Sequence, residues 1–193
     1  FYGEASSLRL LLASRLAAGH VLLSGPPGVG KTTLASGFGK WASGDVKRIQ
    51  MSPDMMPMDV TGAYGLDRTS GELVLRRGPV FCGCLVADEL NRAPGRVHAT
   101  LLEAMEEGQV SIEGETHALP RGLFVLATRN PREVSGTFVI PRALLDRFSV
   151  DLQLGYPDES SERRLYTAAP KVERQVGAAS PGVFAQLLEN VSQ

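Results

Sequence analysis

"HVLLSGPPGVGKTTLASGF", residues 20–38, is the stretch that decides the fold. It opens with a short apolar run that ends in glycine, which is typical of a buried strand. Helical character resumes at "KTTLASGF". Between the two, residues 25–32 read "GPPGVGKT" and fit G-x-x-x-x-G-K-[ST], a pattern in which a loop between a strand and a helix binds phosphate. The stretch therefore predicts a strand, a phosphate-binding loop and a helix in succession.

Each residue type in this loop has a physical role. Glycine allows the backbone to curl so that successive N–H groups point at phosphate oxygens, and the helix start adds its dipole and unpaired donors. Lys31 would bring a positive charge to the β- and γ-phosphates, and the Thr32 hydroxyl would ligate Mg²⁺. A plain glycine-rich turn is the alternative. The predicted nucleotide-binding residues are Gly25, Pro26, Pro27, Gly28, Val29, Gly30, Lys31, Thr32 and Thr33.

A second apolar run, "CLVADEL", ends in two adjacent carboxylates, Asp88 and Glu89. Burying charge is costly unless it is paired or bound to a metal. In a phosphate-loop domain a neighbouring strand carries an acid that holds the Mg²⁺ shell, and we assign this role to Asp88. Glu89 could polarise a water for attack on the γ-phosphate. A solvated acidic pair is the alternative interpretation.

Composition narrows the class of protein. The hydrophobic share of 43% and the charged share of 21% are ordinary for a soluble globular chain, and the net charge of −1 shows no basic nucleic-acid footprint. No apolar run approaches the ~20 residues of a membrane span, so we expect a cytoplasmic protein. Cys82 and Cys84 would share one face of a strand as free core thiols. We interpret the chain as a fragment, because it begins at Phe1 and stops just after a helical-looking run.

The order of elements predicts an α/β fold. Apolar strands alternate with helical segments, which favours a parallel sheet covered on both faces. Five strands are expected, at "HVLLSG", "VKRIQM", "VFCGCLVAD", "LFVLAT" and "FSVDLQL". The pattern breaks at Gly155 and Pro157, so we predict a core domain over residues 1–155 and a second unit over residues 156–193.

Several long motifs together resemble the MoxR family of AAA+ ATPases over roughly residues 3–167. They are "GPPGVGKT", "RIQMSPDMMPMDVTGAY", "ADELNRAPGRVHATLLEAMEEGQVSIEG", "LATRNP" and "GTFVIPRALLDRF". The resemblance implies a P-loop NTPase with three α/β/α layers and a mainly parallel five-stranded sheet, followed by the beginning of a helical lid. It also implies ATP and Mg²⁺ as ligands, and a homo-oligomeric ring, hexameric by resemblance. ATP hydrolysis would remodel or assemble client proteins, with a von Willebrand A-type partner.

By that resemblance Asn130 is the sensor of the γ-phosphate and Arg147 is the arginine finger that reaches a neighbouring subunit's nucleotide. Asn130 could instead form a turn before a proline, and Arg147 could instead pair within the chain with Asp146 or another acid. Arg142 is a rival for the finger. The predicted catalytic residues are Lys31, Glu89, Asn130 and Arg147, and the predicted metal ligands are Thr32 and Asp88.

Gln50 ends the second strand and is a candidate for the polar switch residue that engages Glu89. The lid arginine that contacts the γ-phosphate in the family cannot be identified, because the family's lid is much longer than residues 157–193 allow, and Arg163 and Arg164 stand too early for that role. Hairpins at about 62–78 and 109–119 resemble inserts that contact the substrate or line a pore in related machines. Two other functions stay open, a nucleotide-switched binding module and a nucleic-acid motor. The near-neutral charge and only four Lys argue against the motor.

Overall fold

A central parallel sheet organises the molecule. The computed structural model describes residues 5–133 and 135–156. Its main sheet has five strands in the order β2–β5–β8–β1–β9, and every pairing in it is parallel. This confirms the predicted α/β class with a five-stranded sheet. The strands are β1 (His20–Ser24), β2 (Val46–Gln50), β5 (Cys84–Asp88), β8 (Phe124–Arg129) and β9 (Phe148–Gln153).

Helices cover both faces of this sheet, as parallel strands with two apolar faces require. Helices α1 (Ala5–Leu16) and α2 (Lys31–Ser43) cover one face, where Leu11, Leu34 and Phe38 pack on the side chains of alternate strand residues. Helix α4 (Gly95–Glu107) covers the other face through Val97 and Leu101. The shorter helices α3 (Pro57–Thr61) and α5 (Arg142–Leu145) flank α4, and neither was predicted from the sequence.

Two antiparallel hairpins extend from this core. The first pairs β3 (Gly62–Leu66) with β4 (Leu73–Arg77), and the second pairs β6 (Gln109–Ile112) with β7 (Glu115–Ala118). Glu113 and Gly114 both have positive φ, as a two-residue hairpin turn requires. Both hairpins were expected.

Two expectations about local structure need correction. The third sheet strand begins at Cys84 rather than at residue 80, because residues 80–83 turn before they pair with a neighbour. Cys82 and Cys84 therefore do not share a strand face, and they pack into the two separate cores on either side of the sheet. Both are buried free thiols, and burial raises their pKa values to about 11 and about 12. Thiolate chemistry is thereby disfavoured.

Of the second unit predicted over residues 156–193, all but residue 156 lies outside the described residues, and so do Arg163 and Arg164. Within residues 5–133 and 135–156, no helix has the length and apolar character needed to cross a membrane.

Candidate nucleotide site

The predicted loop lies at the carboxyl edge of the sheet, where β1, β5 and β8 end next to one another. It connects β1 to α2, whose first residue is Lys31. A cleft of about 340 Å³ opens between this loop and the ends of β5 and β8. Ligands of open α/β sheets bind in this position, outside the carboxyl ends of the strands. The cleft is lined by Pro27, Gly28, Gly30, Lys31, Thr32, Thr33, Asp88, Glu89, Thr128, Asn130 and Glu133.

Glycine is required in the loop for two different reasons. Gly28 and Gly30 have φ of 81° and 85°, a conformation that other L-residues rarely adopt, although a Cβ at either position would meet open space. At Gly25 the restriction is space, because a Cβ would collide with the carbonyl oxygen of Leu154. Positive φ at two positions turns the loop around the start of α2, as the sequence pattern predicts.

Lys31 folds back onto the loop that carries it. Its Nζ donates to the carbonyl oxygens of Gly25 at 2.8 Å and Pro26 at 2.7 Å. Partial burial lowers the pKa of Lys31, while the charges of Asp88, Glu89 and Glu133 act in the opposite direction. The ammonium group therefore lies among acidic groups within the cleft, where a phosphate could exchange for the loop carbonyls.

Asp88 is the most enclosed charged group of the site, with a side chain only 6% exposed. Its carboxylate accepts from the hydroxyls of Thr32 at 2.8 Å and Thr128 at 2.5 Å, and from Nη2 of Arg48 at 2.7 Å. Burial raises the pKa of Asp88, but these three donors outweigh burial and hold it below its ordinary value. The carboxylate is thus kept ionised at neutral pH.

Thr32 and Asp88 fit the requirements of a magnesium ion. The cation takes hard oxygen ligands and usually keeps several waters, so one or two protein groups suffice alongside phosphate oxygens. The Thr32 hydroxyl and the Asp88 carboxylate supply such oxygens in hydrogen-bond contact at the mouth of the loop. The described residues contain no cluster of three or more His, Cys, Asp or Glu that would bind a metal without such help.

Glu89 begins a sharp turn directly after β5. It adopts a left-handed conformation with φ of 58°, and its backbone N–H donates to the Thr128 hydroxyl at 2.9 Å. Its Oε2 accepts from Nε2 of Gln50 at 2.8 Å and from Nη1 of Arg92 at 3.1 Å. The predicted contact between Gln50 and Glu89 is therefore present. A non-glycine residue with positive φ is uncommon, and this one lines the cleft, which is where such strained conformations tend to occur.

Asn130 follows β8 and lines the same cleft. Its Oδ1 accepts from the backbone N–H of Arg132 at 3.2 Å, which is the turn contact considered as an alternative. Its Nδ2 lies 3.5 Å from Oε2 of Glu133. The side chain thus shapes the turn and faces the cleft at the same time, so the two interpretations are compatible.

The two candidate fingers lie away from this cleft, which neither lines. Nη2 of Arg147 forms an ion pair with Oε1 of Glu106 on α4 at 3.0 Å. The sequence had offered Asp146 or another acid as an intramolecular partner, and the structure places Glu106 there. Arg142 is the first residue of α5. Within one chain, the fold brings together Lys31, Thr32, Asp88, Glu89 and Asn130 but leaves Arg147 outside.

Sequence reasoning missed four residues of the site: Arg48, Arg92, Thr128 and Glu133. Thr128 joins the two acids, since its hydroxyl donates to Asp88 and accepts from the N–H of Glu89. Its position in the apolar run of β8 could have indicated a functional role, because a polar residue late in a buried strand needs a partner. Arg48 contacts Asp88 only because β2 and β5 are neighbours in the sheet. Arg92 and Glu133 instead contact Glu89 and Asn130, each three residues away along the chain.

A further unpredicted polar group lies at the base of the loop. The buried Ser24 hydroxyl donates to Oδ1 of Asp151 at 2.5 Å and accepts from Nε of Arg129 at 2.8 Å. Arg129 also pairs with Asp151 at 2.6 Å. These contacts join the last residues of β1 and β8 to Asp151 within β9, next to the start of the loop.

Comparisons with known proteins agree with this geometry. Residues 20–150 match the family model described as ATPase family associated with various cellular activities (AAA). The protein YeaC of Bacillus subtilis is 46% identical over 153 residues, which are 79% of this chain and 48% of YeaC. Chaperone MoxR1 of Mycobacterium tuberculosis is 40% identical over 163 residues, which are 84% of this chain and 43% of that protein.

Among solved structures, a crystal structure of a predicted ATPase from Cytophaga hutchinsonii superposes with a TM-score of 0.78. The two sequences are 32% identical, and the match covers 98% of this chain and 58% of the other. The chain spans about half the length of the curated relatives it matches.

Proposed function

Because this chain belongs to the MoxR family of AAA+ ATPases, we propose that it binds ATP with Mg²⁺ and hydrolyses it to ADP and phosphate. One observation carries the proposal. A lysine, a hydroxyl, two carboxylates and an amide from three strand ends converge on a single cleft behind a glycine loop of the phosphate-binding type. A site with only binding residues would not need Glu89 as well as Asp88.

The loop would bind the phosphates and the metal. Backbone N–H groups at the start of α2 favour negative charge, and Lys31 adds a full positive charge beside them. Thr32 and Asp88 would hold Mg²⁺, which when bound neutralises charge on phosphate oxygens. The Asp88 carboxylate is ionised and already oriented by the hydroxyls of Thr32 and Thr128, so its binding geometry needs little rearrangement.

Glu89 would act as the base. Its carboxylate faces the cleft from a turn fixed by the Thr128 hydroxyl, and it could accept a proton from an attacking water. Gln50 and Arg92 both donate to the same oxygen of that carboxylate, so they would hold Glu89 in place before the reaction. Asn130 would orient the water or the γ-phosphate through its amide.

The proposal includes a homo-oligomeric ring, hexameric by family resemblance, in which Arg147 acts on the nucleotide of the adjacent subunit. Two facts support it: Arg147 lies outside its own chain's cleft, and one relative is named a chaperone. The ring would couple hydrolysis to the remodelling or assembly of client proteins, together with a von Willebrand A-type partner. A cytoplasmic location is part of the proposal, and the free buried thiols fit it.

Phosphate release and nucleotide affinity, measured on the same samples, test the chemistry. Glu89→Gln should bind ATP as the wild type does and hydrolyse it ~10²-fold more slowly, the usual scale for removing a positioned base. Glu107→Gln is the matched control, because this exposed glutamate does not line the cleft and its carboxylate accepts a hydrogen bond from the side chain of Gln109. Wild-type protein that binds ATP without releasing phosphate would favour a nucleotide-switched binding module.

The Glu89→Gln protein also provides the test for partners. It should accumulate in the ATP-bound, assembled state, so its mass in solution should increase with ATP. It should also retain a von Willebrand A-type protein and a client in affinity capture, whereas Lys31→Ala, which cannot reach that state, should retain neither. Equal capture by both variants would contradict nucleotide-dependent remodelling.

A further inference from the structure

Arg48 and Gln50 together link the two acids of the site. It lies on the edge strand β2, where Gln50 pairs in register with Asp88 of β5. Residues two apart share a strand face, so Arg48 and Gln50 both point to the acids. Nη2 of Arg48 donates to Oδ2 of Asp88 at 2.7 Å and to Oε1 of Gln50 at 3.0 Å. Gln50 then donates to Glu89, which completes a continuous chain of contacts between the two carboxylates.

Both oxygens of Asp88 already have donors. Oδ1 accepts from Thr32 and Thr128, and Oδ2 accepts from Arg48 with Thr32 at 3.0 Å. A cation that engages this carboxylate must therefore displace a donor or compete with it. One of the three donors, Thr32, Thr128 or Arg48, must therefore move when the cation binds.

The three donors differ in how readily they leave. Thr128 is fully buried and is held in place by the N–H of Glu89, so on leaving Asp88 its hydroxyl would have a buried donor without an acceptor. Thr32 belongs to the proposed cation site itself. Arg48 has a side chain that is 51% exposed, so its guanidinium can be hydrated when it leaves. Its positive charge also opposes a second cation at the same oxygen. Arg48 is therefore the group that yields.

We propose that Arg48 is a positioning residue that acts as a removable counter-ion for Asp88, so that Mg²⁺ must compete with it for the carboxylate. The inference rests on the proposed function, since it concerns the same metal site. In the absence of metal, Arg48 neutralises the nearly buried carboxylate of Asp88, whose other donors are the uncharged hydroxyls of Thr32 and Thr128. When metal binds, Arg48 moves away and also releases its hydrogen bond to Gln50.

Nucleotide affinity with and without metal tests this competition independently of turnover. The affinity for a fluorescent ADP analogue is measured once in excess Mg²⁺ and once in EDTA, and the ratio of the two affinities reports the metal contribution. Arg48→Met removes the charge but keeps the aliphatic stem. The ratio should increase about fivefold, the upper end for a half-exposed ion pair.

Lys47→Met is the matched control. It removes one positive charge from the adjacent, exposed residue of β2, whose side chain points to the opposite face. We expect its ratio to stay within about twofold of wild type, since only long-range charge changes. Arg48→Lys retains the charge and should stay close to wild type. Thermal unfolding in EDTA checks that each variant folds, and Arg48→Gln replaces Arg48→Met should that protein not fold.

The possible results separate the inference about Arg48 from the proposed function. An affinity ratio that increases in Arg48→Met but not in Lys47→Met supports direct competition between Arg48 and Mg²⁺. An unchanged or decreased ratio in Arg48→Met, with a normal wild-type response to Mg²⁺, overturns the inference and leaves the proposed function intact. Wild-type protein whose nucleotide affinity does not respond to Mg²⁺ overturns both.

Discussion

The nucleotide cleft and the segment between α5 and the edge strand β9, which carries Arg147 and is here called the edge, hold their charged groups in opposite ways. In the cleft, Asp88 is 6% exposed and receives three side-chain donors from three different elements. At the edge, Arg147 is 41% exposed and its one ion pair within the described residues is with Glu106, itself 45% exposed. Exposed pairs of this kind contribute little to stability, because solvent screens them and both side chains lose rotamer freedom.

This difference indicates that a single folded chain already contains the cleft half of the proposed active site, whereas the Arg147 half depends on a neighbouring subunit. Buried, connected hydrogen bonds make the cleft rigid and costly to rearrange. The contact between Arg147 and Glu106 can open at low cost, as a group that transfers to a neighbouring subunit must. Substitutions in the cleft should therefore abolish functions of the single chain, and substitutions at the edge should affect only what the assembly does.

The largest effect should follow from Lys31→Ala. The loop would lose its one lysine, and the site would lose the ammonium that lies beside the phosphates, so ATP binding should fall below detection. Titration calorimetry with ATP measures this directly. Lys40→Ala is the control, because Lys40 is an exposed residue of the same helix and should bind ATP as wild type does. Undiminished binding by Lys31→Ala would mean that the cleft does not receive the phosphates.

Next in size is Arg147→Ala. A guanidinium supplied in trans is worth about 10³- to 10⁵-fold in rate, because it stabilises charge on the transferring phosphoryl group. The variant should therefore bind ATP normally and release almost no phosphate. Arg142→Ala, on the neighbouring α5, serves as the comparison and should be milder. Equal losses in the two variants would leave the finger unassigned between them.

Mixing the two inactive proteins tests whether the site is shared. Arg147→Ala subunits keep an intact loop, and Lys31→Ala subunits keep an intact finger. Some interfaces of a mixed ring would pair an intact loop with an intact finger, so hydrolysis should return in part. Co-assembly without any recovery would count against a trans role for Arg147.

Local sequence was sufficient to predict the β1–loop–α2 unit. Gly28 and Gly30 stand where the backbone has positive φ, and Lys31 and Thr32 follow at the start of the helix, so the residue types reflect backbone conformation directly. Strands β1, β5 and β8 were predictable because each is a short, buried and mostly apolar run. The edge strands β2 and β9 carry more polar residues, and their apolar positions are interrupted by exposed ones. Boundaries were less certain, as the late start of β5 at Cys84 shows.

The contact between Gln50 and Glu89 was predicted, whereas two of the partners of Asp88 could not be, because they depend on strand order. Asp88 meets Arg48 and Thr128 only because β2 and β8 flank β5 in the sheet. No local pattern encodes that order. The choice of Glu106 rather than Asp146 as the partner of Arg147 likewise follows from where α4 lies, not from chain proximity.

A smaller effect is expected on the pH dependence of stability, and it comes from the buried residue His98 close to the cleft. His98 is fully buried beneath the turn after Glu89, with Nε2 at 2.9 Å from the carbonyl oxygen of Leu90. Burial lowers its pKa, and the Leu90 carbonyl offsets this only in part. The unfolded chain then binds more protons below pH ~6.5, so this contribution to stability is complete above that pH and is lost as the pH falls toward the folded pKa.

Melting temperatures at pH 7.5 and pH 5 measure the loss. His98→Gln removes the titrating group and keeps a donor for the Leu90 carbonyl. The decrease on acidification should be about 2 to 4 °C larger in the wild type than in this variant, the shift that ~1 kcal/mol causes in a domain of this size. Parallel pH profiles for the two proteins would show that His98 does not carry the acid sensitivity.

The smallest effect should come from Glu106→Gln. Since both partners of the Arg147–Glu106 pair are largely exposed, its loss should change the free energy of unfolding by less than ~1 kcal/mol. The rate of hydrolysis should not decrease, because the substitution frees the Arg147 guanidinium rather than removing it. At protein concentrations that only partly assemble the ring, we expect the rate to increase by up to about fivefold. Glu107→Gln, one residue further along α4 and paired with Gln109, should leave both quantities at their wild-type values. If Glu106→Gln instead lost as much activity as Arg147→Ala, the two residues would act as one unit in the reaction. The contact at the edge would then be as necessary as those in the cleft, and the contrast between the two regions would fail.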